Sequence, residues 1–310
     1  MAEAAVDVVR VGLIGLGNMG APMARQLLRP GARPEVRLAV HDVAEEPRRE
    51  LAAAGAAAPG SAAAVVRDVS VLIVMLPSSD VVEAVLGDPE VRAALRPGTV
   101  VVDMSSSEPQ RTRTLAADLA DAGVSLVDAP VSGGVARART GQLTIMAGGD
   151  PDVVEQVRPV LELMGTVTTT GPVGSGHAAK ALNNLLSATH LLVTSEAMLA
   201  GQRFGLDPET MLAVFNSSSG RSGSTENKWP NFILTESYDS GFGLRLMLKD
   251  MRIAVGLADA VGIASPLGEE AVRVWSRAAE ELPPAADHTE IARWLAAHTA
   301  DADSAAHDAQ

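Results

Sequence analysis

Cysteine is absent from the 310-residue chain, which excludes disulfides, thiolate catalysis and cysteine-ligated metals. Aromatic residues are only 3% of the total, so a core has to be built from Val, Leu, Ile, Ala and the 11 Met. A basic surplus is also missing. Lys and Arg number 25 against 38 Asp and Glu, a net charge of -13, which argues against nucleic acid or an anionic membrane as a partner. No run of about 18 uncharged apolar residues occurs, and the opening MAEAAVDVVR lacks the apolar centre of a secretory signal. The six His show no H-E-x-x-H or comparable spacing, so no metal is expected. The expectation is a cytoplasmic protein whose 47% hydrophobic content suits one large or two ordinary domains.

What is present is organised around one stretch. Val8, Val9, Val11 and Ile14 are β-prone, three glycines follow as G-x-G-x-x-G, and Met19, Met23, Leu27 and Leu28 continue amphipathically. Strand, tight turn and helix is the context in which that spacing holds a dinucleotide. Gly15 permits the turn, Gly17 lets backbone approach a pyrophosphate, and Gly20 lets helix and strand pack closely, with Leu16, Asn18 and Met19 completing the candidate cofactor loop. A second strand over residues 36–40 ends at His41-Asp42. An acidic residue there accepts from the ribose hydroxyls and repels a 2′-phosphate, so Asp42 favours NAD over NADP; capping of the following helix is its alternative role.

Ala-rich helical segments at 44–54 and 61–68 lead to the apolar run at 71–75, and the alternation repeats through 99–103 and 125–128. Strands alternating with helices predict an α/β fold, a Rossmann-type doubly wound parallel sheet. Ligands of such sheets lie beyond the carboxyl ends of the strands, where Pro77, Ser105 and Ser106 fall, although the serines serve equally well as helix caps. Ser132-Gly133-Gly134 leaves a strand and enters a short helix, so its amides can converge on a substrate carboxylate or simply make a turn. Past Gly176 only helical periodicity remains, and residues 178–204 are apolar nearly all round. Such a helix must be buried on most sides. Lys180 and Asn184, four apart on it, are either catalytic or incidental.

Gly15 to Met23, Asp103-Met-Ser-Ser-Ser, Asp128-Ala-Pro-Val-Ser-Gly-Gly134, Gly174 to Asn184 and Lys249-Asp250 stand in the order and spacing of one family. From about residue 9 to 280 the chain resembles the β-hydroxyacid dehydrogenases, on their 3-hydroxyisobutyrate dehydrogenase-like branch. The resemblance implies hydride transfer between a nicotinamide and C3 of a short 3-hydroxy acid or its semialdehyde, without metal. It implies Lys180 as catalytic acid/base, Asn184 orienting the reacting oxygen, and Ser132, Gly133 and Gly134 holding the carboxylate. Leu76, Pro77, Ser105, Ser106 and Lys249 are implied as cofactor contacts. A lysine desolvated beside a cationic nicotinamide has its ammonium form disfavoured, which suits it to proton transfer in both directions.

Arg221 lies in a polar, Gly-rich loop before Pro230 that is expected to shape the far end of the substrate pocket, where a guanidinium could hold a second anionic group. The expected organisation is a dinucleotide-binding domain over 1–172, an all-helical domain over 173–296 with the active site between them, and a disordered tail over 297–310. The long apolar helix predicts a homodimer or homotetramer. Imine reductases share the scaffold, but the resemblance leads one to expect another residue where Lys180 stands. A non-catalytic dinucleotide-binding scaffold is the remaining alternative, which retention of Lys180, Asn184 and the Ser-Gly-Gly turn opposes.

Overall fold

The structure, a computed structural model, describes residues 8–298. It divides into two compact units, Met1–Lys180 and Ala181–Gln310. The first is the α/β unit: β1 Val8–Ile14, α1 Gly20–Leu27, β2 Glu35–His41, α2 Glu45–Ala53, α3 Ala62–Val66, β3 Val71–Val74, α4 Ser79–Gly87, α5 Pro89–Ala94, β4 Val100–Asp103, α6 Pro109–Ala120 and β5 Ser125–Asp128. There follow β6 Val131–Ser132, α7 Gly134–Thr140, β7 Leu143–Gly148, α8 Pro151–Leu161 and β8 Gly165–Gly171.

The strand order is β2-β1-β3-β4-β5-β7-β6, with β8 pairing β7. From β2 to β5 all pairings are parallel, as the alternation predicts. Leu13, Ile73 and Val102 face one apolar cluster while Leu72, Val74 and Val101 face another. Such a sheet is covered on both sides, which is why its strands are apolar without alternation. Beyond β5 the sheet turns mixed: β7 runs antiparallel to β5 and β6, and β8 runs parallel to β7. Only β6 and α7 separate β5 from β7.

One helix, α9 (Ser175–Phe204), spans the division between the units. The second unit continues with α10 Pro208–Asn216, a π-helix Ser224–Ile233, α11 Leu244–Ala260 and α12 Pro266–Glu281. Its core gathers all three Trp, at 229, 275 and 294, with Met211, Met247 and Met251. Helical structure is what the periodicity predicts here, but the stretch expected to be an irregular loop up to Pro230 is π-helical from Ser224. Residues 297 and 298 of the expected disordered tail continue a helix, where His298 stacks on Trp294 at a 4.2 Å ring separation; the rest of that tail lies outside the described residues. No helix among the described residues is long and apolar enough to cross a membrane.

Candidate active site

The glycine turn separates packing from ligand binding. A Cβ on Gly15 would lie 2.2 Å from the Met75 carbonyl oxygen, and one on Gly20 would lie 1.9 Å from that of Gly15. Both glycines are demanded by the fold itself. Gly17 is not, because a Cβ there would meet nothing within 4 Å. Its bare, exposed backbone fits the approach of a pyrophosphate, and no side chain caps the start of α1 at Met19. Asp42 clamps the loop from beside it: one carboxylate oxygen accepts from the Leu16 amide at 2.6 Å and the other from the Ala44 amide at 2.8 Å. Each oxygen has a second lone pair left for a ribose hydroxyl. The helix-capping alternative is not realised: the Ala44 amide precedes α2, whose N-terminus has no side-chain cap.

Ser105 is buried, and its hydroxyl accepts from the Leu76 amide at 2.9 Å, so it first fixes the exit of β3. Pro77 is exposed and Ser106 partly buried. Gly133 and Gly134 take φ of +125° and +67°, which carries the chain from β6 into α7 next to the partly buried Ser132.

A buried polar network of residues that stand in the quoted motifs without an expected role fixes the first turn of α9. Asp128, fully buried, accepts from the amides of Gly174 at 2.6 Å and His177 at 2.8 Å. Burial pushes its carboxyl above the ordinary range, opposed by the His177 charge and by these two amides. His177 turns its Nδ1 to the Thr112 hydroxyl at 2.8 Å, while its Nε2 stands 3.7 Å from Asp103 without a hydrogen-bond partner. Asp103 in turn accepts from the Ser105 amide and the Ser107 hydroxyl. The close approach also needs Gly176, where a Cβ would sit 2.2 Å from the Met146 carbonyl oxygen. A usable signal did exist: both aspartates end apolar strands, and they are register partners on β4 and β5.

Lys180 is 8% exposed and Asn184, one turn further along α9, is 4% exposed. The Asn184 amide donates to Asp250 of α11 at 2.6 Å, and the Lys249 ammonium lies 3.3 Å from the other oxygen of Asp250. Arg221 lies at the surface, paired within its own segment. Its guanidinium is 64% exposed and bound at 2.6 Å to Glu226, five residues along the same segment. The segment thus supplies Arg221 with its own counter-ion, in an exposed pair of the kind worth at most about 1 kcal/mol. No group of three or more metal-ligating side chains occurs among the described residues.

A family model described as the NAD binding domain of 6-phosphogluconate dehydrogenase matches residues 10–174, and one described as NAD-binding of NADP-dependent 3-hydroxyisobutyrate dehydrogenase matches residues 174–295. The chain belongs to the β-hydroxyacid dehydrogenase family. It is 38% identical to the NAD-dependent L-serine dehydrogenase of Pseudomonas aeruginosa, over 86% of this chain and 91% of that enzyme. Identity to the 2-(hydroxymethyl)glutarate dehydrogenase of Eubacterium barkeri is 36%, over 86% and 88%. The solved 3-hydroxyisobutyrate dehydrogenase of Mycobacterium tuberculosis with L-serine superposes with a TM-score of 0.87 at 31% identity, covering 93% of this chain and 99% of that one. Named relatives at this similarity are dehydrogenases of CH–OH groups, and the family's cofactor is a nicotinamide nucleotide. Imine reductases of known structure share the fold at 18% to 21% identity.

Proposed function

We propose that the chain transfers a hydride between NAD and C3 of a short 3-hydroxy acid or its semialdehyde, with Lys180 as the general acid/base. The observation that carries this reading is the pairing on α9: a lysine buried to 8% exposure, one turn before an asparagine whose orientation Asp250 fixes at 2.6 Å. The substrates named for the relatives share one framework, a hydroxymethyl carbon next to a carbon bearing the carboxylate, and differ in what else that second carbon carries.

The nicotinamide, when bound, supplies the hydride acceptor. The neutral Lys180 amine takes the hydroxyl proton as the C–H bond breaks, and in the reverse direction its ammonium returns that proton to the alkoxide. Asn184 gives one amide hydrogen to Asp250 and has the other for the reacting oxygen, which it holds in line with Lys180. Ser132 and the amides of Gly133 and Gly134 take the carboxylate. The glycine loop from Gly15 to Gly20 takes the pyrophosphate, with Leu76, Pro77, Ser105, Ser106 and Lys249 around the rest of the nucleotide. Asp42 supports NAD over NADP, because its two oxygens already stand as acceptors and a 2′-phosphate would face their charge.

A homodimer or homotetramer belongs to the same reading. Leu182, Leu186, Val193 and Phe204 of α9 are 43%, 59%, 54% and 85% exposed. At about 3.6 residues per turn their spacing confines them to one narrow stripe, and a second copy of the chain is the partner we assign to it. Initial rates with 3-hydroxyisobutyrate, L-serine and 2-(hydroxymethyl)glutarate, each with NAD and NADP, test the function. Turnover of at least one of them with NAD is expected; none with either nucleotide would leave a scaffold protein.

A further inference from the structure

The buried histidine at the start of α9 has a hydrogen-bond partner for one ring nitrogen only. His177 is 1% exposed, and its Nδ1 lies 2.8 Å from the Thr112 hydroxyl. That hydroxyl also lies 3.1 Å from the Glu108 carbonyl oxygen, which can only accept, so the single Thr112 proton goes there and the Nδ1–H donates to Thr112. Asp128 agrees with this assignment, because one of its oxygens stands 3.9 Å from Nδ1. Nε2 is the nitrogen left over. It has no hydrogen-bond partner, and what it faces is a carboxylate oxygen of Asp103 at 3.7 Å. A bare lone pair turned toward a carboxylate is repelled, whereas an N–H in the same place is attracted. Both Asp103 oxygens already accept, one from the Ser105 amide at 2.9 Å and the other from the Ser107 hydroxyl at 2.8 Å, so a further proton belongs on the imidazole.

Resting on the reading of Lys180 as general acid/base, we propose that His177 is a positioning residue for it: a buried imidazolium, protonated on both nitrogens between Asp103 and Asp128, that sets the charge felt by Lys180 one turn further along α9. Every member of this cluster lies in the first unit, and residues three apart on a helix are neighbours on its surface. Among the described residues the charged groups facing the ring are Asp103 at the end of β4 and Asp128 at the end of β5, while α6 offers only the Thr112 hydroxyl. Two carboxylates and one imidazolium leave a single negative charge. Without the imidazolium, two negative charges would favour the ammonium form of Lys180 and withhold the neutral amine that oxidation of a hydroxy acid needs.

The charge state is read directly from the ring-nitrogen resonances of the wild-type protein carrying isotope-labelled histidine, assigned through the backbone, at neutral pH. Protons on both nitrogens of His177 are expected, and a bare Nε2 overturns the proposal whether or not any variant folds. The coupling to Lys180 is read from the pH profile of kcat for hydroxy acid oxidation, with melting curves to confirm folding. His177→Gln should move the rising limb to higher pH by at least about half a pH unit. Adding Asp103→Asn, so that one positive and one negative charge are removed together, should bring the limb at least half of the way back. Lower turnover in a folded His177→Gln with the limb unmoved makes His177 a packing residue and overturns the positioning role while leaving hydride transfer intact. If wild type oxidises no hydroxy acid, the function reading fails and the positioning role falls with it, while the resonances still decide the imidazolium.

Discussion

At the scale of single residues, what was legible was chemistry that declares itself by type and spacing. A lysine four residues before an asparagine in an apolar helix is conspicuous because ammonium groups are rarely buried, and both residues are in fact buried. The pairing of Asp128 with His177, and of His177 with Thr112 and Asp103, was not legible, since these residues lie at distances in sequence that only the sheet closes. Arg221 and Lys228 show the same limit from the other side: nothing in a polar stretch says which cation finds Glu226 and which is left with an aromatic ring. Asp42 carries the prediction at this scale. Asp42→Asn combined with Val43→Arg, at a position 97% exposed and free to take a long side chain, should move the kcat/KM ratio from NAD towards NADP by at least tenfold, about 1.4 kcal/mol. A wild-type enzyme preferring NADP tenfold would contradict the role given to Asp42.

At the scale of elements, the parallel strands and their helices were readable because burial on both faces leaves continuous apolar runs. The π-helix was not. Its composition, with Gly223 before it and Pro230 inside it, is that of a loop, and no residue period marks such a ladder in advance. What holds the neighbouring segment is Asp287, which joins residues 240–242 to 288–289. Burial alone would raise its carboxyl, but hydrogen bonds from His288 and Thr289 outweigh that and hold it well below the ordinary range. A depressed carboxylate contributes stability that is fully present above its unfolded value, near about 3.9, and is lost as pH falls below it. Asp287→Asn should therefore lower unfolding free energy at neutral pH by about 1–3 kcal/mol, and the gap to wild type should shrink in acid. Denaturant unfolding at neutral and acid pH measures both, and a gap that widened in acid would refute the assignment.

At the scale of the whole molecule, the α/β unit followed by a helical one was readable from the change of grammar after residue 171. The antiparallel return of β7 was not, because the composition of a strand does not state its direction, and a connection containing a helix is compatible with a parallel neighbour too. The exposed stripe on α9 predicts association: Leu186→Glu with Val193→Glu should reduce the sedimentation mass of the assembly to that of one chain, whereas an unchanged mass would move the interface elsewhere. The central claim is that Lys180 carries the proton during hydride transfer. It is tested most directly by the turnover of Lys180→Ala at its pH optimum, followed in the absorbance of the reduced nicotinamide, with NAD affinity measured alongside. Loss of kcat by at least about 10²-fold with NAD binding unchanged is the predicted result, and a folded variant that kept a tenth of wild-type turnover would contradict it.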